Sequence, residues 1–152
     1  MKAEELMTGD LVYYCYANPF ITKVIDVCTH GEEHGEEHFI RCKRDEKDNL
    51  YKQDQLEDFN VGILRPIPLT PEILKKNGFV NSYIDVSLNK DSVYKYNNFY
   101  TGNSVIVDME SNKLIVKYEN DIWMNLPYNR TIYVHELQHV LKHCDIKKEI
   151  II

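Results

Sequence analysis

The chain has 152 residues, 43% of them hydrophobic, and a formal net charge of −6, which suits one globular domain or two small ones with a real core. No run approaches the roughly 18 apolar residues of a membrane span, and the opening MKAEELMTGD lacks the apolar centre of a secretory signal, so a cytoplasmic protein without membrane contact is expected. Residues 1–68 hold eight Lys/Arg against fourteen Asp/Glu, whereas residues 69–152 hold ten of each, and an acidic first half disfavours nucleic acid as its partner.

In chain order, Thr8-Gly9-Asp10 reads as a turn that launches a strand from Leu11 to Tyr16, broken at Asn18-Pro19. A second strand is expected over Ile21 to Cys28 and a third over Phe39 to Lys43. Between them lies His30 to His38, HGEEHGEEH, a small internal repeat. Histidine-rich tracts bind transition metals, so His30, His34 and His38 are candidate ligands of a metal-binding module. The same composition, without an apolar residue, also makes a solvated hairpin extension, and that is the expectation adopted. Asp45 to Asp48 is a charged turn, Leu50-Tyr51 and Gln55-Leu56 suggest a further short strand, and Ile63 to Arg65 closes the set before Pro66. Several short strands within residues 1–66 suggest a small antiparallel β-barrel. The layout resembles Src-homology-3-like barrels, without a ligand-binding motif of that class, and fold alone licenses no function.

Residues 67–152 read as an α+β domain. Thr70 caps a short helix with Pro71 at its first position and Glu72 in its first turn, and Asn77-Gly78 stops it so that Phe79 can pack back on Leu74. Strands are expected at Tyr83 to Leu88, Val93 to Tyr100, Ser104 to Met109 and Leu114 to Tyr118, the last two joined by a hairpin turn. The row Tyr94, Tyr96 and Tyr100 is expected to pack beneath a helix. Asp108 and Glu110 sit near the hairpin tip, where solvation accounts for them. Ile122 to Met124 suggests one more short strand, Asn125 to Asn129 a loop, and Glu149 to Ile152 an edge strand. Cys15, Cys28, Cys42 and Cys144 lack C-x-x-C spacing and read as reduced thiols, mostly buried. No phosphate-binding loop or nucleophile elbow is present.

A helix over residues 132–144 carries the chain's one catalytic motif. On a helical wheel Tyr133, Val134, Leu137, Val140, Leu141 and Cys144 share an arc of about 120°. His135, His139 and His143 lie roughly opposite, flanked by Gln138 and Lys142. His135-Glu136-Leu137-Gln138-His139 matches H-E-x-x-H, in which two histidines hold zinc and the glutamate is the general base. Catalytic zinc needs a third protein ligand. Asp145 stands where a compact zincin places one, but the glycine that turns the chain back to the metal is replaced by Lys142, and seven residues, Ile146 to Ile152, leave no room for a methionine turn. The expectation is a non-catalytic helix without a cofactor, the alternative being a zinc-dependent peptidase built on His135, His139, Glu136 and Asp145.

Two blocks, Ile67-Pro68-Leu69-Thr70-Pro71-Glu72-Ile73-Leu74 with Asn77-Gly78-Phe79, and the Tyr133-Val134-His135-Glu136-Leu137-Gln138 tail, resemble small uncharacterised proteins of gut Bacteroidetes genomes with a phage or mobile-element flavour. In that pattern the position of His139 is commonly Asn and that of Glu136 can be Gln. The resemblance implies that His135, Leu137 and Gln138 serve the fold, that the complete zinc motif is incidental, and that the protein is an interaction or accessory protein. It names no partner and carries no activity.

Overall fold

The computed structural model describes residues 5–15, 20–32, 35–44, 56–82, 92–120 and 122–152. The chain divides into two compact units, Met1–Ile67 and Pro68–Ile152. Its architecture is α+β, mostly strand.

The first unit is one antiparallel sheet. Its strands are β1 (Leu11–Tyr14), β2 (Phe20–Glu32), β3 (Gly35–Arg44), β4 (Leu56–Asn60) and β5 (Leu64–Pro66). The order β4-β3-β2-β1-β5 curls into a half-barrel. Asp10 fixes the entry turn: its carboxylate accepts the Met7 N–H at 2.7 Å, while Gly9 sits at φ 99°, where a side chain would be strained. Period-2 alternation turns Val12, Val24, Ile40, Cys42, Phe59 and Leu64 into the core with Leu6. Tyr14, Phe20 and Phe59 join it as an aromatic cluster, with ring centroids 4.7 Å apart for Tyr14–Phe20 and 4.8 Å for Tyr14–Phe59. The register of β2 against β3 slips between Val24 and Asp26, a bulge that bends the long hairpin. The hairpin extension expected at His30 is ladder: Thr29 pairs with His38, His30 with Glu37, Gly31 with Glu36 and Glu32 with Gly35. The expected turn at Asp45–Asp48 and strand at Leu50–Tyr51 lie outside the described residues, as does Tyr83–Leu88.

The second unit opens with α1 (Pro71–Lys76). Thr70 Oγ1 accepts the Ile73 N–H at 3.3 Å. Hydrogen bonds from the backbone and from Thr70 hold the Glu72 carboxyl below its ordinary pKa, with Lys75 adding to the effect. Gly78 at φ 75° ends the helix. Its N–H returns to Lys75 O and that of Phe79 to Leu74 O, and the Leu74 and Phe79 side chains are both buried. A six-residue helix has little intrinsic stability, so Thr70→Ala is expected to cost about 1 kcal/mol in denaturant unfolding.

The sheet of this unit runs β10-β9-β8-β7-β6, all antiparallel: β6 (Val80–Asn81), β7 (Val93–Asn97), β8 (Ser104–Asp108), β9 (Lys113–Lys117) and β10 (Trp123–Pro127). The central strand β8 is buried along its whole length, and Leu114 and Val116 alternate inward on β9. Helix α2 (Val134–His143) packs on β9 with Val134, Leu137, Val140 and Leu141 buried. The row of tyrosines packs as expected over two of its members: Phe79 lies 5.3 Å from the Tyr96 ring, Lys148 Nζ stands 5.3 Å over it, and Lys75 Nζ stands 6.0 Å over Tyr94. Tyr100 is fully exposed at the β7–β8 hairpin tip.

Three expectations need correction. Asn125–Pro127 is strand rather than loop, because an edge position tolerates the proline. Glu149–Ile152 forms no strand; Ile151 is held by the side chain of Asn77 instead. Asp108 is buried rather than solvated, since its Oδ1 accepts the turn N–H groups of Glu110 and Ser111, each at 3.1 Å. Cys42 and Cys144 are buried, Cys15 is exposed, and none of the three is in a disulfide.

Candidate functional site

The H-E-x-x-H segment lies at the start of α2. Tyr133 is the N-cap residue, with extended backbone and no side-chain acceptor to offer the first turn. Glu136 occupies the third helical position and supplies the reciprocal half of a capping box: its Oε2 accepts the Tyr133 N–H at 2.8 Å. Its Oε1 accepts from Arg130 Nη2, also at 2.8 Å. Each carboxylate oxygen of the candidate general base thus already accepts one hydrogen bond from the fold, which fixes the group at the helix start.

The imidazoles stand in a column of stacked groups. Arg130 Cζ lies 4.6 Å over the Tyr133 ring. Tyr133 stacks on His135 at 5.9 Å and 11°, and His135 meets His139 edge-on at 5.8 Å and 70°. Burial falls along the helix: His135 is 2% exposed, His139 half-buried and His143 exposed. The expected open histidine face is thus closed at its N-terminal end. A wheel counts histidine as polar and misses that its ring packs well against an aromatic neighbour.

Tyr128 and Arg130 complete the cluster, and neither stands out in the sequence. Burial pushes the Tyr128 phenol above its ordinary pKa, the Glu136 carboxylate adds to this, and Arg130 partly offsets it. Arg130 reaches Glu136 across six positions, and because it precedes the helix no helical spacing marks the pair.

Asp145, the doubtful third ligand, sits at the opposite end of α2. Ten residues of helical rise separate it from His135 by about 15 Å. It is the residue past the C-cap, at φ 55°, and the chain ends the helix around it: Asp145 N–H returns to Lys142 O and Ile146 N–H to Leu141 O. That is the left-handed stop usually taken by glycine. Asp145→Gly is therefore expected to raise stability by about 1 kcal/mol in a thermal melt; a loss would mean that the carboxylate has a role which the backbone does not explain.

His30 and His38 occupy the β2–β3 ladder, opposite Glu37 and Thr29 respectively, and His34 lies outside the described residues. Among the described residues no group of three or more His, Cys, Asp or Glu side chains comes together as a metal site, and no helix is long and apolar enough to cross a membrane. Comparison with protein-family models, curated proteins and solved structures found no match for this chain.

Proposed function

We propose that this chain is a non-catalytic protein-interaction module, an accessory protein of the phage or mobile-element kind acting in the cytoplasm. The observation that carries the first part is the double commitment of Glu136 to Arg130 and to the Tyr133 N–H. A glutamate at the third position of a helix, paired to an arginine, is doing the work of a cap. The phage association rests on the resemblance of the two sequence blocks alone. Within the same proposal the first unit is an Src-homology-3-like barrel; the order β4-β3-β2-β1-β5 and the 3-10 turn Val61–Ile63 between β4 and β5 support it.

The competing reading is a zinc-dependent hydrolase, favoured by the 5.8 Å approach of His135 and His139. The further alternative is a metal-binding module at His30, His34 and His38. The test is incubation of the purified protein, with added zinc, against a mixed peptide library. No cleavage is expected. Cleavage that disappears in Glu136→Gln would overturn the proposal.

A further inference from the structure

Strand β10 is the outer strand of its sheet, and among the described residues no strand lies beyond it. Natural edges of this kind are blunted by charge, extreme shortness or bulges. Strand β10, Trp-Met-Asn-Leu-Pro, carries no charged side chain, and its register on β9 is regular over all five residues. Its only device is Pro127 at the last position.

The backbone phase of this edge follows from two hydrogen bonds. Tyr118 N–H donates to Ile122 O at 2.9 Å and Tyr128 N–H donates to Asn112 O at 2.8 Å. Both pairs lie on the β9–β10 register. Bonded and non-bonded pairs alternate in an antiparallel ladder. Ile122, Met124, Leu126 and Tyr128 therefore bond inward, and Trp123, Asn125 and Pro127 direct their backbone groups outward. The same three residues have exposed side chains, while Met124 and Leu126 are half-buried.

We propose that β10 pairs with β10 of a second copy of this chain, antiparallel about a two-fold axis at Asn125. This rests on the interaction-module reading and names the partner. The strand is self-complementary in that register. Each Asn125 N–H meets the Asn125 carbonyl of the second copy, and each Trp123 N–H meets a Pro127 carbonyl. The position without a donor is thus used only as an acceptor. Trp123 stands opposite Pro127, Met124 opposite Leu126, and the Asn125 amides face each other, so apolar meets apolar and no like charges oppose. An uncharged edge offers nothing to select a charged peptide instead. Pairing also closes the assembly. Among the described residues the composite sheet would end at both sides in β6, which is two residues long and presents almost no ladder to a further copy.

The test is sedimentation equilibrium over a wide concentration range, read beside the emission of Trp123, the chain's single tryptophan. Association to a dimer and no further is expected, with emission shifting to the blue as the dimer forms. Asn125→Lys places like charges opposite one another at the axis and is expected to raise Kd by at least about tenfold with unchanged circular dichroism. Asn125→Pro removes only an outward N–H and is expected to weaken the dimer without breaking the β9–β10 ladder, which keeps the test open should the lysine variant misfold. A monomer at every concentration, growth beyond a dimer, or a dimer that both variants leave intact would overturn the proposal. The peptide-library assay on the same sample separates the two readings. A monomer that cleaves nothing removes the dimer alone, whereas cleavage dependent on Glu136 removes the module reading whatever the mass.

Discussion

Asn77→Ala is expected to destabilise the second unit by about 3 kcal/mol, the largest effect of any substitution considered. The Asn77 side chain is 1% exposed and has its amide fully employed. Nδ2 donates to Ile73 O and to Ile151 O, both at 2.8 Å, and Oδ1 accepts the Ile151 N–H at 2.9 Å. One side chain thus pins the last turn of α1 to the C-terminal segment, with Lys76 Nζ adding a bond to Ile152 O at 2.7 Å. Truncation strands the Ile151 N–H and carbonyl, whereas Ile73 O keeps the Asn77 N–H at 3.1 Å. Each costs about 1–3 kcal/mol if it stays buried, less where the tail peels away to water. The readout is urea unfolding followed by Trp123 fluorescence, with hydrogen exchange of residues 148–152. Faster exchange there should accompany the lost stability. A change under about 0.5 kcal/mol, with protection retained, would show that Ile146 and Ile150, both buried, hold the tail by packing alone.

Glu136→Ala is expected to cost about 2 kcal/mol. Roughly half is the lost cap on Tyr133, since that amide has no side-chain acceptor from Tyr133 itself. The remainder comes from Arg130, discounted because its side chain is 44% exposed and can return to water. Glu136→Gln keeps an acceptor for the Tyr133 N–H and should lose about 1 kcal/mol. The order Ala worse than Gln worse than wild type, by chemical denaturation, is the signature of a cap. A catalytic carboxylate held against its neighbours gives the opposite sign, a gain in stability on neutralisation.

What the sequence made legible was local chemistry. Thr70-Pro71-Glu72 and Asn77-Gly78-Phe79 contain both ends of α1 within ten residues, and the structure realises each cap. The apolar spacing of Val134, Leu137, Val140 and Leu141 gave the core face of α2 in the same way. The apolar runs on either side of Glu110-Ser111-Asn112-Lys113 placed the β8–β9 hairpin to within a residue. Two of the three misreadings turn on neighbours that the local sequence does not name; Asp108 is the local one, its carboxylate taken up by the N–H groups of Glu110 and Ser111. Three isoleucines at the end of the chain read as a strand, but the hydrogen bonds that organise Ile151 come from a side chain 74 positions away. Proline at 127 reads as a breaker, and only knowledge that β10 lies at an edge removes the objection. The site itself was half legible. The motif was visible, whereas the contacts of Arg130 with Glu136 and Tyr133, and of Tyr133 with His135, involve residues ahead of the helix that no periodicity marks.

The central claim is that His135-Glu136-Leu137-Gln138-His139 builds a helix start rather than a zinc site. Elemental analysis of tag-free protein, purified without chelator beside a His139→Asn variant, tests it most directly. The expected result is zinc far below one per chain in both proteins, with melting temperatures that agree. Near-stoichiometric zinc in the wild type that disappears in His139→Asn would contradict the claim and make Glu136 a candidate base again.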